Sequence, residues 1–505
     1  MIKKFYCFED LIKYKVTSGT ITSPLIDLIQ KNQLNRDDLI KSSIFYDRKG
    51  DLDIEKKYDY IYDLLKSFTK HGKMKEILNT IVVGAIGSML GMAIGDAMGH
   101  RFEFFPVVYN KIELIDMGTG AGGKFQLLPG QWTDDTSMGL CLADSLIVNK
   151  GKFNPHDLMH RFLSWWYGGY NNAFRKDYSR FNKNSVGLGG TISESFKNYL
   201  EYPLVETSAG DKHSSGNGSI MRNAPVPICF HNDINKAMEI ARKQSLVTHQ
   251  GIEAAECCRL LTYIMVKILN RNSEKLNDIL DNLAGFQTDC ISVKYLALSK
   301  QENNDPDRDW NWKKKDFKYS PKRSKETPGY IGSYAMDAMA MALHVVYYTK
   351  KFDEAIIKVV NLRGDSDSVG SVVGQIAGAY YGVSNIPTNW IKTVSKWDKY
   401  EIAIRGYMLS QINKKETKSN PHTSSTQNTS NTPHTSNTSN TPHTSNTSNT
   451  PHTSNTSNTS NTPHTSNTSN TPYTSNNLYT SNTSNNLYTS NTPQYNVLTR
   501  FPTKK

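Results

Sequence analysis

Ile81-Val82-Val83-Gly84-Ala85-Ile86-Gly87-Ser88-Met89-Leu90-Gly91-Met92-Ala93-Ile94-Gly95-Asp96-Ala97-Met98-Gly99 reads as one long helix marked by small residues. Gly84, Gly87, Ser88, Gly91, Gly95 and Gly99 recur at intervals of three and four, so they share a helix face. Each glycine costs a helix interior about 1 kcal/mol relative to alanine. A stripe of them therefore needs a compensating gain, and close approach of a second helix supplies one. Gly370, Gly374, Gly378 and Gly382 repeat the device at intervals of four. Sustained period-2 alternation is scarce between residues 76 and 410, while helical patterning dominates. The spacing predicts an all-α body with two tightly packed central helices.

Both stripes run beside acidic clusters. Asp96 closes the first, and Glu103 follows seven residues later. Trp132-Thr133-Asp134-Asp135-Thr136 opens an apolar run, and Gly364-Asp365-Ser366-Asp367-Ser368 opens the second stripe. Helix capping accounts for one aspartate in each cluster but not for two. The spacing is not that of an EF-hand loop. If the fold joins the two clusters, four carboxylates and two hydroxyls converge. Such a site repels itself unless a hard cation neutralises it.

A further motif is uncharged. Ser214-Ser215-Gly216-Asn217-Gly218-Ser219-Ile220-Met221-Arg222 is a glycine- and serine-rich loop entering a helical stretch, the kind of backbone that presents N–H groups to an anion. It is neither a Walker A loop nor a Rossmann fingerprint. Thr248-His249 precedes a long helical run, and a lone histidine there reads as scaffold rather than catalyst. No G-x-S-x-G elbow occurs, and no cysteine stands in a nucleophile context.

The wider chain sets the limits. Of 505 residues, those from about 418 to 492 are almost only Thr, Ser, Asn, Pro and His, in a nine-residue repeat resembling T-P-H-T-S-N-T-S-N. Such composition cannot bury enough apolar surface to order itself. Three regions are expected: an accessory helical region over 1–75, a body over 76–410, and a low-complexity disordered tail over 411–505. In the first region, Leu25, Ile26, Leu28 and Ile29 suggest one helix and Tyr58 to Phe68 another. Residues 301–328, rich in Asn, Asp, Lys and Trp and interrupted by prolines, read as a surface excursion. The formal net charge is +12, with a basic concentration from Lys313 to Lys325. No basic-aromatic repeat or zinc-finger spacing accompanies it, so nucleic acid is not the expected partner. Six cysteines lack C-x-x-C spacing and suit reduced thiols in a cytoplasmic, intracellular protein. No uninterrupted run of 18 apolar residues is present, so no membrane span is expected.

Taken in order, these motifs resemble the ADP-ribosylglycohydrolase family, which includes dinitrogenase reductase-activating glycohydrolase. The matching segments are Gly91–Gly99 with Glu103, Gly130–Thr136, Gly216–Arg222, Thr248-His249, Gly329-Tyr330 and Gly364–Ser368, continuing into Gly378–Gly382 and Ile386-Pro387. The resemblance implies a compact orthogonal helical bundle with a centre of two Mg2+ ions. Thr133, Asp134, Asp135, Asp365, Asp367 and Ser368 would be the metal ligands, and Glu103 and Asp135 the catalytic residues. Ser214, Gly216, Asn217, Gly218, Ser219, His249, Gly329 and Tyr330 would bind substrate. The implied reaction frees ADP-ribose from a protein side chain or small molecule, so the expected partner is an ADP-ribosylated protein or an ADP-ribose-containing small molecule, met by a monomer. Ser368 stands where the family usually has Thr, and Arg363 replaces a frequent Gly. Two rival readings are a non-catalytic ADP-ribose-binding relative and a metal phosphohydrolase.

Overall fold

A computed structural model of the chain describes residues 80–180 and 184–412 continuously, together with 8–13, 15–17, 20–36, 39, 43–45, 59, 63 and 66. The expected helix from Tyr58 to Phe68 lies largely outside these residues, and the repeat tail wholly so. Helices make up the body. The longer ones are α1 (Thr80–Gly99), α2 (Asp134–Val148), α3 (Pro155–Gly168), α4 (Gly190–Glu201), α5 (Ile234–Leu246), α6 (Ile252–Leu269), α7 (Ala335–Tyr348), α8 (Phe352–Val360), α9 (Ser366–Tyr381), α10 (Thr388–Asp398) and α11 (Glu401–Gln411). The described strands form one short antiparallel hairpin, Lys15–Thr17 with Thr20–Thr22, ahead of the body.

The glycine stripes do what their spacing predicts. A methyl group on Gly95 would lie 2.1 Å from the Gly370 carbonyl oxygen, one on Gly91 2.1 Å from that of Gly374, and one on Gly87 2.2 Å from that of Gly378. Backbone meets backbone, and any Cβ would prevent it. As the α1 number falls the α9 number rises, so the helices run antiparallel. The last turn of α1 therefore meets the first turn of α9, where Ser366 Oγ donates to the Gly99 carbonyl (2.8 Å). The two acidic clusters are brought to one end of this pair.

Helix α1 is the axis of the core, buried from Gly84 to Gly99. On another side Gly406 of α11 approaches the Ala85 carbonyl, where a methyl would come within 2.8 Å. With a mean hydropathy of 1.7, α1 is long and apolar enough to cross a membrane, contrary to the expectation from the run-length rule; its burial by the surrounding helices identifies it as a core helix.

Two further expectations meet the structure. The predicted helix around Leu25 is Pro24–Gln30, started by Ser23, whose Oγ accepts from the Ile26 N–H (3.2 Å). Leu25 and Ile26 join the main core. The 301–328 segment is not a loose excursion. Trp310 and Trp312 are fully buried, and Pro321 starts the short helix Pro321–Glu326 rather than preventing one. Several of its basic residues pair with acids, as in Arg323–Asp337 (2.7 Å), Lys313–Asp281 (2.8 Å) and Lys314–Asp309 (2.7 Å).

Candidate active site

The site begins with Asp96, in the last turn of α1. Its Oδ1 accepts from the Thr133 N–H (2.9 Å) and the Thr133 hydroxyl (2.9 Å). Its Oδ2 accepts from the Thr136 N–H (3.0 Å) and the Thr136 hydroxyl (2.7 Å). One fully buried carboxylate thus caps α2 from a different helix. Thr133 occupies the N-cap position of α2 yet makes no side-chain capping bond of its own, and Asp365 is in the same position on α9. Capping, the plain explanation for both clusters, is not what these residues do. Asp134, Asp135, Asp365 and Asp367 all line one cavity, with Asp367 Oδ1 accepting from the Ser368 N–H (3.0 Å).

Loops close the site from the side. The Phe104 N–H donates to the Gly364 carbonyl (3.0 Å), the Asp365 N–H to the Ile331 carbonyl (2.9 Å) and the Asn217 N–H to the Ser333 carbonyl (2.8 Å). Asn217 Nδ2 also donates to Asp365 Oδ2 (2.9 Å). Gly187 passes so near α2 that a methyl there would lie 2.1 Å from Asp134 Oδ1.

Carboxylate oxygens of Asp96, Asp135 and Asp367 lie within 4.8 Å of one another, as do those of Glu103, Asp365 and Asp367. Asp135 Oδ1 and Glu103 Oε2 are buried without a hydrogen-bond partner. Burial, then the charges of neighbouring acids, pushes Asp134, Asp135 and Asp367 well above the usual carboxylate range. Glu103 is pushed up to about 9 by burial and then by Asp365. Asp96 rises only to about 6, because hydrogen bonds from Thr136 and Thr133 offset its burial. The cluster cannot carry all its charge unaided. Its donors are all oxygen and two are orphaned, so it suits a hard divalent cation.

A cavity of about 710 Å³ opens above the cluster. It brings together Glu103, Asp134, Asp135, Asp365, Asp367, Ser368, Gly216, Asn217, Gly218, His249, Gly329 and Tyr330 from the sequence expectation. Thr133 lies beneath the lining, its hydroxyl 3.2 Å from Asp135 Oδ2. Ser214 and Ser219 do not line the cavity. Ser214 Oγ bonds Asp211 (3.1 Å), and Ser219 is fully buried behind the loop, accepting from the Ser245 hydroxyl (2.8 Å). Sequence reasoning missed the Val186–Thr191 wall, although Gly187-Leu188-Gly189-Gly190-Thr191, leading into α4, carries the same glycine-rich signal as the 214–219 loop. Of the aromatic mouth it named only Tyr330, which Phe104 meets edge-on (5.3 Å); Phe104 also meets Phe125 (6.2 Å), with Lys124 Nζ 4.1 Å above the Phe104 ring. Arg363 turns away from the cavity to Glu113 (2.5 Å).

The family model and the named relatives place this all-α body, with its oxygen-donor centre under a cavity, among hydrolases that act on glycosyl bonds. The ADP-ribosylglycohydrolase family model matches residues 83–417, and the chain belongs to that family. It is similar to ADP-ribosylarginine hydrolase Tri1 of Serratia proteamaculans, 30% identical over 307 residues that cover 61% of this chain and 74% of the relative. ADP-ribosyl-[dinitrogen reductase] glycohydrolase of Rhodospirillum rubrum is 26% identical over 320 residues, covering 63% and 92%. A solved ADP-ribosylglycohydrolase-related protein complex aligns with a TM-score of 0.50 at 28% identity, covering 66% of this chain and 100% of that one.

Proposed function

We propose that this protein is a divalent-cation-dependent ADP-ribosyl hydrolase, with two Mg2+ ions at the acidic centre and arginine-linked ADP-ribose as its first substrate class. The observation that carries the reading is the convergence of Glu103, Asp135, Asp365 and Asp367, two of them with orphaned oxygens, on the floor of the 710 Å³ cavity. The arginine linkage rests on the two Tri1 relatives, 30% and 31% identical, which are named for it. Asp134, Asp135, Asp365 and Asp367, with Thr133 and Ser368 supplying hydroxyls, would hold the ions. Bound there, the ions supply Lewis-acid polarisation and orientation of water and ribose hydroxyls.

The chain's own groups do the rest. The bond broken joins the ribosyl C1″ to its leaving nitrogen, and water supplies the new oxygen. Positive charge develops on the sugar as that bond lengthens, and the carboxylates beneath it stabilise the charge. Glu103 and Asp135 each present one unpartnered oxygen, so either can hold or hand over a proton at the reacting atoms. The Gly216–Gly218 loop and His249 lie along the cavity wall, where the diphosphate would run. Phe104 and Tyr330 offer ring edges and faces to the adenine at the mouth.

The test is release of ADP-ribose from arginine-modified protein with and without magnesium. Asp365→Ala and Asp134→Ala should each abolish turnover while helical circular dichroism is retained. Full activity in either variant would overturn the ligand assignment. A non-catalytic relative would bind ADP-ribose and release none; a phosphohydrolase would liberate phosphate instead.

A further inference from the structure

Behind the cavity wall lies a buried arginine that the chemistry above leaves unused. Arg222 is inaccessible to solvent, and no carboxylate bonds it among the described residues. Its Nε donates to Gln244 Oε1 (2.9 Å), and one terminal nitrogen donates to both the Gln244 carbonyl (2.9 Å) and Thr248 Oγ1 (2.8 Å). The guanidinium lies 4.6 Å over the Phe162 ring. Thr248 Oγ1 is 2.8 Å from His249 Nδ1. Thr248 is fully buried and His249 nearly so.

Counting protons fixes the direction of this chain. An arginine can only donate, so the Thr248 oxygen accepts from Arg222. The hydroxyl has one proton to place, and His249 Nδ1 is the acceptor within reach among the described residues. Were Nδ1 protonated as well, the hydroxyl would accept twice and its own proton would be stranded in a dry site, a costly arrangement. Nδ1 therefore accepts, and the ring's single proton is on Nε2. That nitrogen faces the Gly216–Gly218 loop: a methyl on Gly218 would lie 3.1 Å from it and one on Gly216 3.5 Å. Only glycine at both of these positions leaves it open.

The geometry points to Arg222 and Thr248 as positioning residues that hold His249 in its neutral Nε2–H tautomer, so that the imidazole offers substrate a fixed hydrogen-bond donor rather than a base. That the receiving group is a phosphate or ribose oxygen of ADP-ribose rests on the function proposed above. Burial, then the Arg222 charge, also holds His249 down to about 3, in keeping with a ring that stays neutral.

The experiment uses the full chain labelled with 13C and 15N histidine, with the His249 signals assigned through His249→Gln. Ring nitrogen shifts should show the neutral Nε2–H form from pH 5 to 8. An Nδ1–H form, or titration near the ordinary histidine value, overturns the proposal. This measurement needs no ligand, so it decides the matter even if the wild type neither binds ADP-ribose nor turns over a substrate. Calorimetry with ADP-ribose supplies the second readout. Thr248→Val should weaken binding about tenfold, the scale of one hydrogen bond left misdirected, and Thr248→Ser should restore it. Wild-type affinity in the valine variant also overturns the proposal. Tight binding without turnover would instead sink the hydrolase reading and leave the tautomer assignment standing.

Discussion

Asp96 shows how one side chain can organise a centre without facing it. The hydrogen bonds its carboxylate accepts from Thr133 and Thr136 relieve α2 of the need for a local cap, and that releases Asp134 and Asp135. Gly187 plays a complementary part. Its φ of +94° and the 2.1 Å a methyl would leave to Asp134 Oδ1 make it intolerant of any side chain. Gly187→Ala should cost about 1–2 kcal/mol from backbone strain, and it should lower divalent-metal affinity by about 10- to 100-fold through the displaced ligand. Titration calorimetry with Mg2+ measures the second effect, and unchanged affinity would refute it. Arg363 answers the question its sequence position raised. It adopts φ +66° and pairs with Glu113 away from the cavity. Arg363→Gly should relieve strain and lose a partly exposed ion pair, leaving thermal stability within about 1 kcal/mol and Mg2+ affinity unchanged.

At the level of elements, α1 and α9 are one device. Gly91 and Gly374 are each other's closest obstacle, with methyls at either position reaching 2.1 and 1.9 Å from the partner's carbonyl oxygen. Alanine would raise intrinsic helix propensity by about 1 kcal/mol, yet it would force two backbones apart. The net change for Gly91→Ala is expected to be a loss of about 1–3 kcal/mol, as for other overpacked cores. Thermal denaturation reads this directly, and a stabilised variant would disprove the close packing. Activity should fall further than stability does, because separating these helices also separates Asp96 and Asp367 at their shared end. The loop segments at 103–105, 331–333 and 364–365 transmit the same register to Glu103 and Asn217 through backbone hydrogen bonds.

For the molecule as a whole, the acidic centre links stability to pH and, on the function proposed above, to metal. Glu103 and Asp96 have folded values near 9 and 6 against ordinary values of 4.5 and 3.8. A raised carboxyl pKa means that the folded state binds the proton more tightly than the unfolded chain. Its contribution is therefore fully present below the ordinary value and is lost as pH rises through the folded one. In EDTA, melting temperature should fall steadily from about pH 4.5 to 9. Mg2+ at 100 times its dissociation constant should restore about 2.7 kcal/mol per occupied site at neutral pH. A pH-independent melt in EDTA would argue against the clustered carboxylates.

The helical class, the two striped helices and the acidic clusters were all legible in the chain, because helix periodicity and glycine spacing are local properties that survive in one dimension. The order of the motifs was legible too, and through it the family. What could not be read was which neighbour each group would face. Ser214 and Ser219 carry the same hydroxyl as Ser368, yet folding turns them to Asp211 and Ser245 while Ser368 enters the cavity. The Gly187 turn and the aromatic mouth looked ordinary until packing set them around the centre. Asp96 and Asp367 are neighbours only because backbone contact between two helices, distant in sequence, brings their ends together; that proximity comes from long-range packing, which no local string encodes.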